Sequence, residues 1–284
     1  PARREPDELL LMKTEKYYVN NNGRRIKLLV LRPTKHARAS DMTAGVFWIH
    51  GGGFATGMAE MVYITRARAL VEKFGVTVCA PAYTLSWQAP YPAAIEDCYA
   101  ALLWFKANAW MLGYDPERII VGGESAGGGL CAALCMLARD RGEVDIKYQF
   151  PLYPMLDDRD TPSSRNNHAH VWNTRRNHAA WKLYLRDKYG TDSVPPYAAP
   201  ARQDNYVNLP PCYTFVGDIE PFYCETLNYV NQLKAAGVHA ECDVYPGCWH
   251  AFDMLAPWKR VSREAAARFE QKFAEALEKC AKGG

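Results

Sequence analysis

Gly123-Glu124-Ser125-Ala126-Gly127 follows the apolar run Arg118-Ile119-Ile120-Val121 and precedes the helix-forming stretch Leu130-Cys131-Ala132-Ala133-Leu134. A strand, a sharp glycine-lined turn and a helix, in that order, lift a serine hydroxyl clear of the backbone. Ser125 is therefore a candidate nucleophile. The five residues alone are a weak signal, because a serine hydroxyl also needs a base, a group that orients the base, and donors for an oxyanion. The reading depends on whether the chain supplies them.

Around this turn, apolar runs alternate with helical patterns, the signature of an α/β fold with a mainly parallel sheet covered by helices on both faces. Residues 17–20 and 25–32 read as an opening hairpin turned at Asn21-Asn22-Gly23. Further strands are expected at 45–50, 77–80, 119–122, 148–153, 212–216 and 241–245, giving a sheet of eight. Helices are expected at 64–74, 92–109, 130–141, 222–236 and 261–282. The last carries Val261, Ala265, Phe269, Phe273 and Leu277 at four-residue spacing, a stripe that faces a core. Residues 154–211 break the rhythm: they are polar, rich in Asn, Arg, His and Pro, with one amphipathic helix near 178–189. So long an interruption is commonly a lid or binding loop. The expected organisation is one domain over 1–284 with a cap formed by about 154–211, and residues 1–16 as a second candidate contributor.

The remaining catalytic groups have candidates. His50-Gly51-Gly52-Gly53-Phe54 closes the strand Val46-Phe47-Trp48-Ile49, and three glycines in a row leave backbone N–H groups free to converge on one cavity. The amides of Gly52 and Gly53, with that of Ala126, would form an oxyanion hole. The lysine and spacing of a phosphate-binding P-loop are absent. His250, in Tyr245-Pro246-Gly247-Cys248-Trp249-His250, lies beyond the last strand, where loops face a crevice. Nucleophile, acid and then histidine is the α/β-hydrolase order; His239, the other histidine after the acid, begins a strand at its wrong end. The acid should follow the strand at 212–216, and Gly217-Asp218-Ile219-Glu220 offers two carboxylates between which spacing does not choose.

Composition narrows the function classes. The chain has 284 residues, 49% hydrophobic and 23% charged, enough for a large core in an ordinary globular domain. A net charge of +3 is too small to argue for nucleic acid or an acidic membrane surface. No apolar run approaches a membrane span, and residues 1–8 are charged rather than signal-like. The nine cysteines lack C-x-x-C spacing, and several, such as Cys79, Cys131, Cys135 and Cys212, sit in apolar runs. Free buried thiols in a reducing cytoplasm are expected, with no metal site.

Taken together, the residues resemble the hormone-sensitive-lipase-like carboxylesterases, often called bacterial esterase family IV, of the α/β-hydrolase superfamily. The resemblance runs from about Val46 to Phe252. It rests on His50-Gly51-Gly52-Gly53-Phe54, Tyr91-Pro92-Ala93-Ala94-Ile95-Glu96-Asp97, Gly113-Tyr114-Asp115-Pro116, Gly123-Glu124-Ser125-Ala126-Gly127-Gly128, Tyr153-Pro154-Met155-Leu156-Asp157 and Tyr245-Pro246-Gly247. It implies a serine carboxylesterase acting on short-chain esters, small-molecule substrates, and no metal or organic cofactor. It also implies Glu220 as the acid, in the position where the family usually has aspartate, with Asp218 as the fallback. Two other departures bear on pocket shape: Glu124 replaces the usual aspartate before the nucleophile, and Tyr83 to Gln88 stand where the family has an arginine-containing loop. The family includes homodimers joined through sheet edges. The alternatives are a non-catalytic small-molecule receptor on the same fold, or an amidase or peptidase with the same triad. Trp87, Trp172 and Trp249 are candidates for narrowing the pocket.

Overall fold

The computed structural model describes residues 12–34 and 43–282. Its centre is one eight-stranded sheet of order β1-β2-β4-β3-β5-β6-β7-β8. Strands β1 (Met12–Asn21) and β2 (Arg24–Pro33) form the antiparallel hairpin at one edge. The two residues between them, Asn22 and Gly23, both take positive φ (50° and 82°), the turn geometry that matches strand twist. The hairpin strands run longer than their apolar cores indicate. Residues 12–16 already belong to β1, and residues 1–11, the rest of the second cap candidate, lie outside the described residues.

The strands β3 (Thr43–Ile49), β4 (Thr77–Pro81), β5 (Tyr114–Glu124), β6 (Ile146–Leu152), β7 (Cys212–Gly217) and β8 (Ala240–Tyr245) run parallel. Helix α1 (Arg66–Phe74) carries the chain from β3 to β4 on one side. Helices α2 (Ala93–Ala107) and α3 (Ala109–Leu112) carry it back past β3 to β5. The chain thus leaves the paired ends of β3 and β5 in opposite directions, and Ile49 lies opposite Gly123 where a crevice opens.

Both faces of the sheet are covered, which is why its central strands are continuously apolar. Ile119 and Val121 join a core with α2 and α4 (Ala126–Arg141), while Ile120, between them, joins the core under α1 and α8 (Arg260–Lys282). On α8 the four-residue stripe is buried through Ala265, Phe269, Phe273 and Leu277 as expected. Helix α6 (Tyr223–Ala235) sits on the α4 side, and the short α7 (Phe252–Leu255) follows β8.

Among the boundaries that differ from expectation, those of two helices have clear physical reasons. Helix α4 begins at Ala126, four residues before the apolar stretch at Leu130. Glycine costs an isolated helix about 1 kcal/mol per residue, but here it is the only residue that fits. A Cβ on Gly127 would stand 2.1 Å from the Ile49 carbonyl oxygen. Within 154–211, helix α5 covers Thr174–Leu185 rather than 178–189. Asn173 caps it, its side chain accepting the Arg176 N–H at 3.1 Å, and Arg186 ends it by turning to a positive φ of 52°. Trp181, Tyr184, Leu185, Tyr206 and Leu209 from this segment are buried in the same core as α2 and α4.

Candidate active site

Ser125 sits between β5 and α4 with φ 57° and ψ −122°, a backbone that non-glycine residues rarely adopt. Its N–H bonds the Leu152 carbonyl at 3.0 Å, and its own carbonyl accepts from Gly129 and Met155, both at 3.0 Å. Strain at this residue is therefore held by the ends of two neighbouring strands and the first turn of α4. The side chain is left at the crevice rather than in either core.

His250 reaches Ser125 from the loop between β8 and α7. Its Nε2 accepts the Ser125 hydroxyl at 2.9 Å, and its Nδ1–H donates to Glu220 Oε2 in a very short hydrogen bond. The other carboxylate oxygen of Glu220 accepts the Gly217 N–H at 3.0 Å, so the longer glutamate is folded back against the end of β7 and pinned at both oxygens. Histidine and glutamate are both buried, at 4% and 0% exposure. The loop bearing His250 lies directly on β7: a Cβ on Gly217 would be 2.0 Å from the Cys248 carbonyl oxygen. Asp218 points elsewhere. It is exposed and accepts the Gly247 N–H at 2.7 Å, tying the exit of β7 to the same loop without touching the imidazole.

The glycine loop after β3 lies against the elbow, with Gly51 packed on the Glu124 carbonyl and the Ser125 side chain. Gly52 turns its carbonyl toward the next turn, where it accepts the N–H groups of Ala55 (3.1 Å) and Thr56 (3.0 Å). A trans peptide then directs the Gly53 N–H the opposite way. Among the described residues, the N–H groups of Gly52, Gly53 and Ala126 donate no hydrogen bond. His50 props the loop from behind: it stacks on Tyr83 at 4.3 Å and its Nδ1 bonds the Gly51 carbonyl at 2.8 Å. Burial pushes the His50 imidazole down to about 4, so it stays neutral and donates from Nδ1.

The imidazole of His250 is walled by three rings. Tyr153 and Phe222 meet it edge-on at 5.1 and 5.0 Å, and the Trp172 ring centre lies 6.2 Å away. Of the three tryptophans singled out in the sequence, Trp172 alone has its ring against His250; Trp87 is 61% exposed and Trp249 packs against the α8-side core. Tyr153 and Phe222 carried no separate signal in the sequence, because an aromatic beside a strand end reads as core. His168 and His170 are exposed, His178 pairs with Asp160 at 2.7 Å, and His239 is exposed beside Glu241.

Glu124 does not shape the pocket as the sequence comparison suggested. It accepts Trp48 Nε1–H at 2.8 Å on the opposite face of the sheet, in the region of the Arg66–Asp253 ion pair. Burial raises its carboxyl to about 7, against the pull of the Trp48 hydrogen bond. A carboxyl raised on folding supports stability below its unfolded value of 4.5 and loses that support as pH rises through about 7. Glu124→Gln should therefore be the more stable protein at pH 8 by on the order of 3 kcal/mol, and equal to the parent at pH 4. Urea unfolding at both pH values checks this; a difference independent of pH would assign the effect to packing.

Among the described residues no cluster of His, Cys, Asp and Glu is arranged to hold a metal ion, and no helix is long and apolar enough to cross a membrane. All nine cysteines are free thiols.

Comparison with known proteins agrees with this architecture. A family described as alpha/beta hydrolase fold matches residues 46–254. The chain is 34% identical over 198 residues to the esterase LipI of Mycobacterium tuberculosis, an alignment covering 69% of this chain and 61% of LipI. It is 33% identical over 227 residues to the carboxylesterase NlhH of the same species, covering 78% of this chain and 70% of NlhH. The match to LipI thus spans less than two thirds of that relative's length. Among solved structures, a bacterial heroin esterase superposes with a TM-score of 0.84 at 34% identity, over 96% of this chain and 84% of the other. With the elbow, the glycine loop and the chain order all in place, the protein belongs to the hormone-sensitive-lipase-like carboxylesterase family of the α/β-hydrolase superfamily.

Proposed function

We propose that the protein is a serine carboxylesterase that hydrolyses short-chain carboxylic esters through an acyl-enzyme, with Ser125 as nucleophile, His250 as base and Glu220 as the orienting acid. The observation that carries this reading is the continuous hydrogen-bonded line from Glu220 through His250 to Ser125, beside three backbone amides that have no partner among the described residues. Ser125 Oγ attacks the ester carbonyl as His250 Nε2 takes its proton. Glu220 holds the tautomer with hydrogen on Nδ1 and balances the imidazolium that forms. The N–H groups of Gly52, Gly53 and Ala126 receive the oxyanion, each such donor being worth about a hundred-fold or more in rate. The imidazolium then protonates the departing alcohol, and water releases the acid by the reverse proton route.

Residues 154–211 act as the cap in this reading, and Trp172 is their contribution to the site. The half-buried indole lies beside Gly53 and His250, and the short-chain preference is supported by the resemblance to short-chain esterases. Nine free thiols fit a reducing compartment and support a cytoplasmic location. A receptor on the same scaffold has no use for an aligned base, whereas His250 sits within hydrogen-bond reach of Ser125. Ester and amide are separated by assay rather than by the triad. On p-nitrophenyl esters from acetate to palmitate, kcat/KM should be greatest for acetate to butyrate and at least ten-fold lower for palmitate, with p-nitroacetanilide scarcely cleaved. Palmitate as the best ester would overturn the short-chain reading, and a faster anilide would reassign the enzyme as an amidase.

A further inference from the structure

Trp172 is held more firmly than a surface loop residue. The residue before it, Val171, has φ 69°, a conformation that is a genuine outlier for a β-branched side chain. The Trp172 N–H bonds the His170 carbonyl at 2.8 Å across this residue, closing a tight three-residue turn of the strained kind. Arg176 donates to the Val171 carbonyl, and the chain enters α5 one residue later through the Asn173 cap. The indole is fixed at its far end as well: Nε1–H donates to Asn177 Oδ1 at 3.2 Å, and Asn177 is buried at 2% exposure. Backbone strain and a buried side-chain acceptor thus hold one ring in one place.

That place is the roof of the reacting centre. The six-membered edge of the indole lies so close to Gly53 that a Cβ there would stand 2.4 Å from its nearest carbon. The ring centre is 6.2 Å from both His250 and Phe222. In the tetrahedral intermediate the oxyanion points to the amides of Gly52, Gly53 and Ala126, and the leaving oxygen points to His250 Nε2, which protonates it. An indole spanning Gly53 and His250 covers the space between those two directions. The alcohol group hangs from the leaving oxygen on the His250 side, so it is the alcohol that meets the indole. The acyl chain departs from the carbonyl carbon in the remaining direction.

We propose that Trp172 is a specificity-determining residue that limits the size of the ester's alcohol group, an inference that rests on the esterase reading of Ser125 and His250. The enzyme would accept esters of small or flat alcohols and discriminate against branched or cyclic ones. Asn177 acts through Trp172 as a positioning residue, by fixing the indole at Nε1.

Two substrate series separate alcohol from acyl preference: ethyl against cyclohexyl acetate, and ethyl acetate against ethyl hexanoate. In Trp172→Ala the kcat/KM ratio of cyclohexyl to ethyl acetate should rise at least ten-fold, while the hexanoate-to-acetate ratio moves less than three-fold. Trp172→Phe, which keeps a ring of smaller reach, should fall between parent and alanine variant. Asn177→Ala should raise the alcohol ratio in the same direction by a smaller factor. If the alanine variant does not fold, Trp172→Leu carries the same test. An unchanged alcohol ratio, or an acyl ratio that moves as much, overturns the assignment. Hydrolysis of ethyl acetate by the parent and its loss in Ser125→Ala tell failure of this inference from failure of the esterase reading, since only the latter abolishes both.

Discussion

Ser125→Ala is expected to lower kcat for p-nitrophenyl acetate by about 10⁴-fold or more while leaving the protein folded. The magnitude follows from the covalent route, because without Oγ there is no acyl-enzyme, and what remains is the contribution of substrate binding and oxyanion donors. The fold should survive, since the backbone bonds that hold the elbow run from the Ser125 N–H and carbonyl, which alanine retains. Stopped-flow or steady-state assay, with circular dichroism as the control for folding, checks both halves. Turnover within ten-fold of the parent would remove Ser125 from the reaction and with it the proposed mechanism.

The second large effect belongs to the acid. Glu220→Gln should reduce kcat by about 10³- to 10⁴-fold, because a neutral amide neither balances the imidazolium nor holds hydrogen on Nδ1. Asp218→Asn should cost less than ten-fold. Its oxygen receives the Gly247 N–H on the exposed outer side of the loop, and asparagine can still accept that bond. The contrast between the two variants matters more than either value. A larger loss in Asp218→Asn would mean that the loop rearranges around substrate and that the acid role lies there.

These two carboxylates mark the boundary of what could be read from residues. The strand-turn-helix around Ser125, the glycines after β3 and the position of His250 behind the last strand were each legible, because apolar runs and glycine clusters leave a local signature. Asp218 and Glu220 share one loop, and nothing local separates them. The choice is made by the direction in which β7 ends, with Gly217 pressed on the Cys248 carbonyl and the Glu220 side chain folded inward to its own strand. The role of Glu124 was misleading for a similar reason. Adjacency to the nucleophile places it near the pocket in sequence, but the alternation of side chains about the strand end sends it to Trp48 on the other face.

The segment 154–211 was the least legible. Its composition marked an interruption, yet the helix boundaries were displaced because Asn173 caps the helix before its apolar face begins. Nor does the polarity of its first half announce that Trp172 lies against Gly53 and His250. That ring is positioned by a left-handed valine and by a buried asparagine five residues along, features that exist only once the chain has folded.

The amino-acid sequence by itself determined the architecture and the family, and it marked Ser125 and the glycine loop after β3 as the candidate nucleophile and oxyanion donors. Periodicity, glycine spacing and chain order are one-dimensional properties that survive without knowledge of long-range contacts. The tertiary structure decided which carboxylate meets His250, which tryptophan lies beside that ring and where the Glu124 side chain points. Each of those depends on the direction of a side chain relative to elements distant along the chain, and burial and hydrogen bonding across that distance select it.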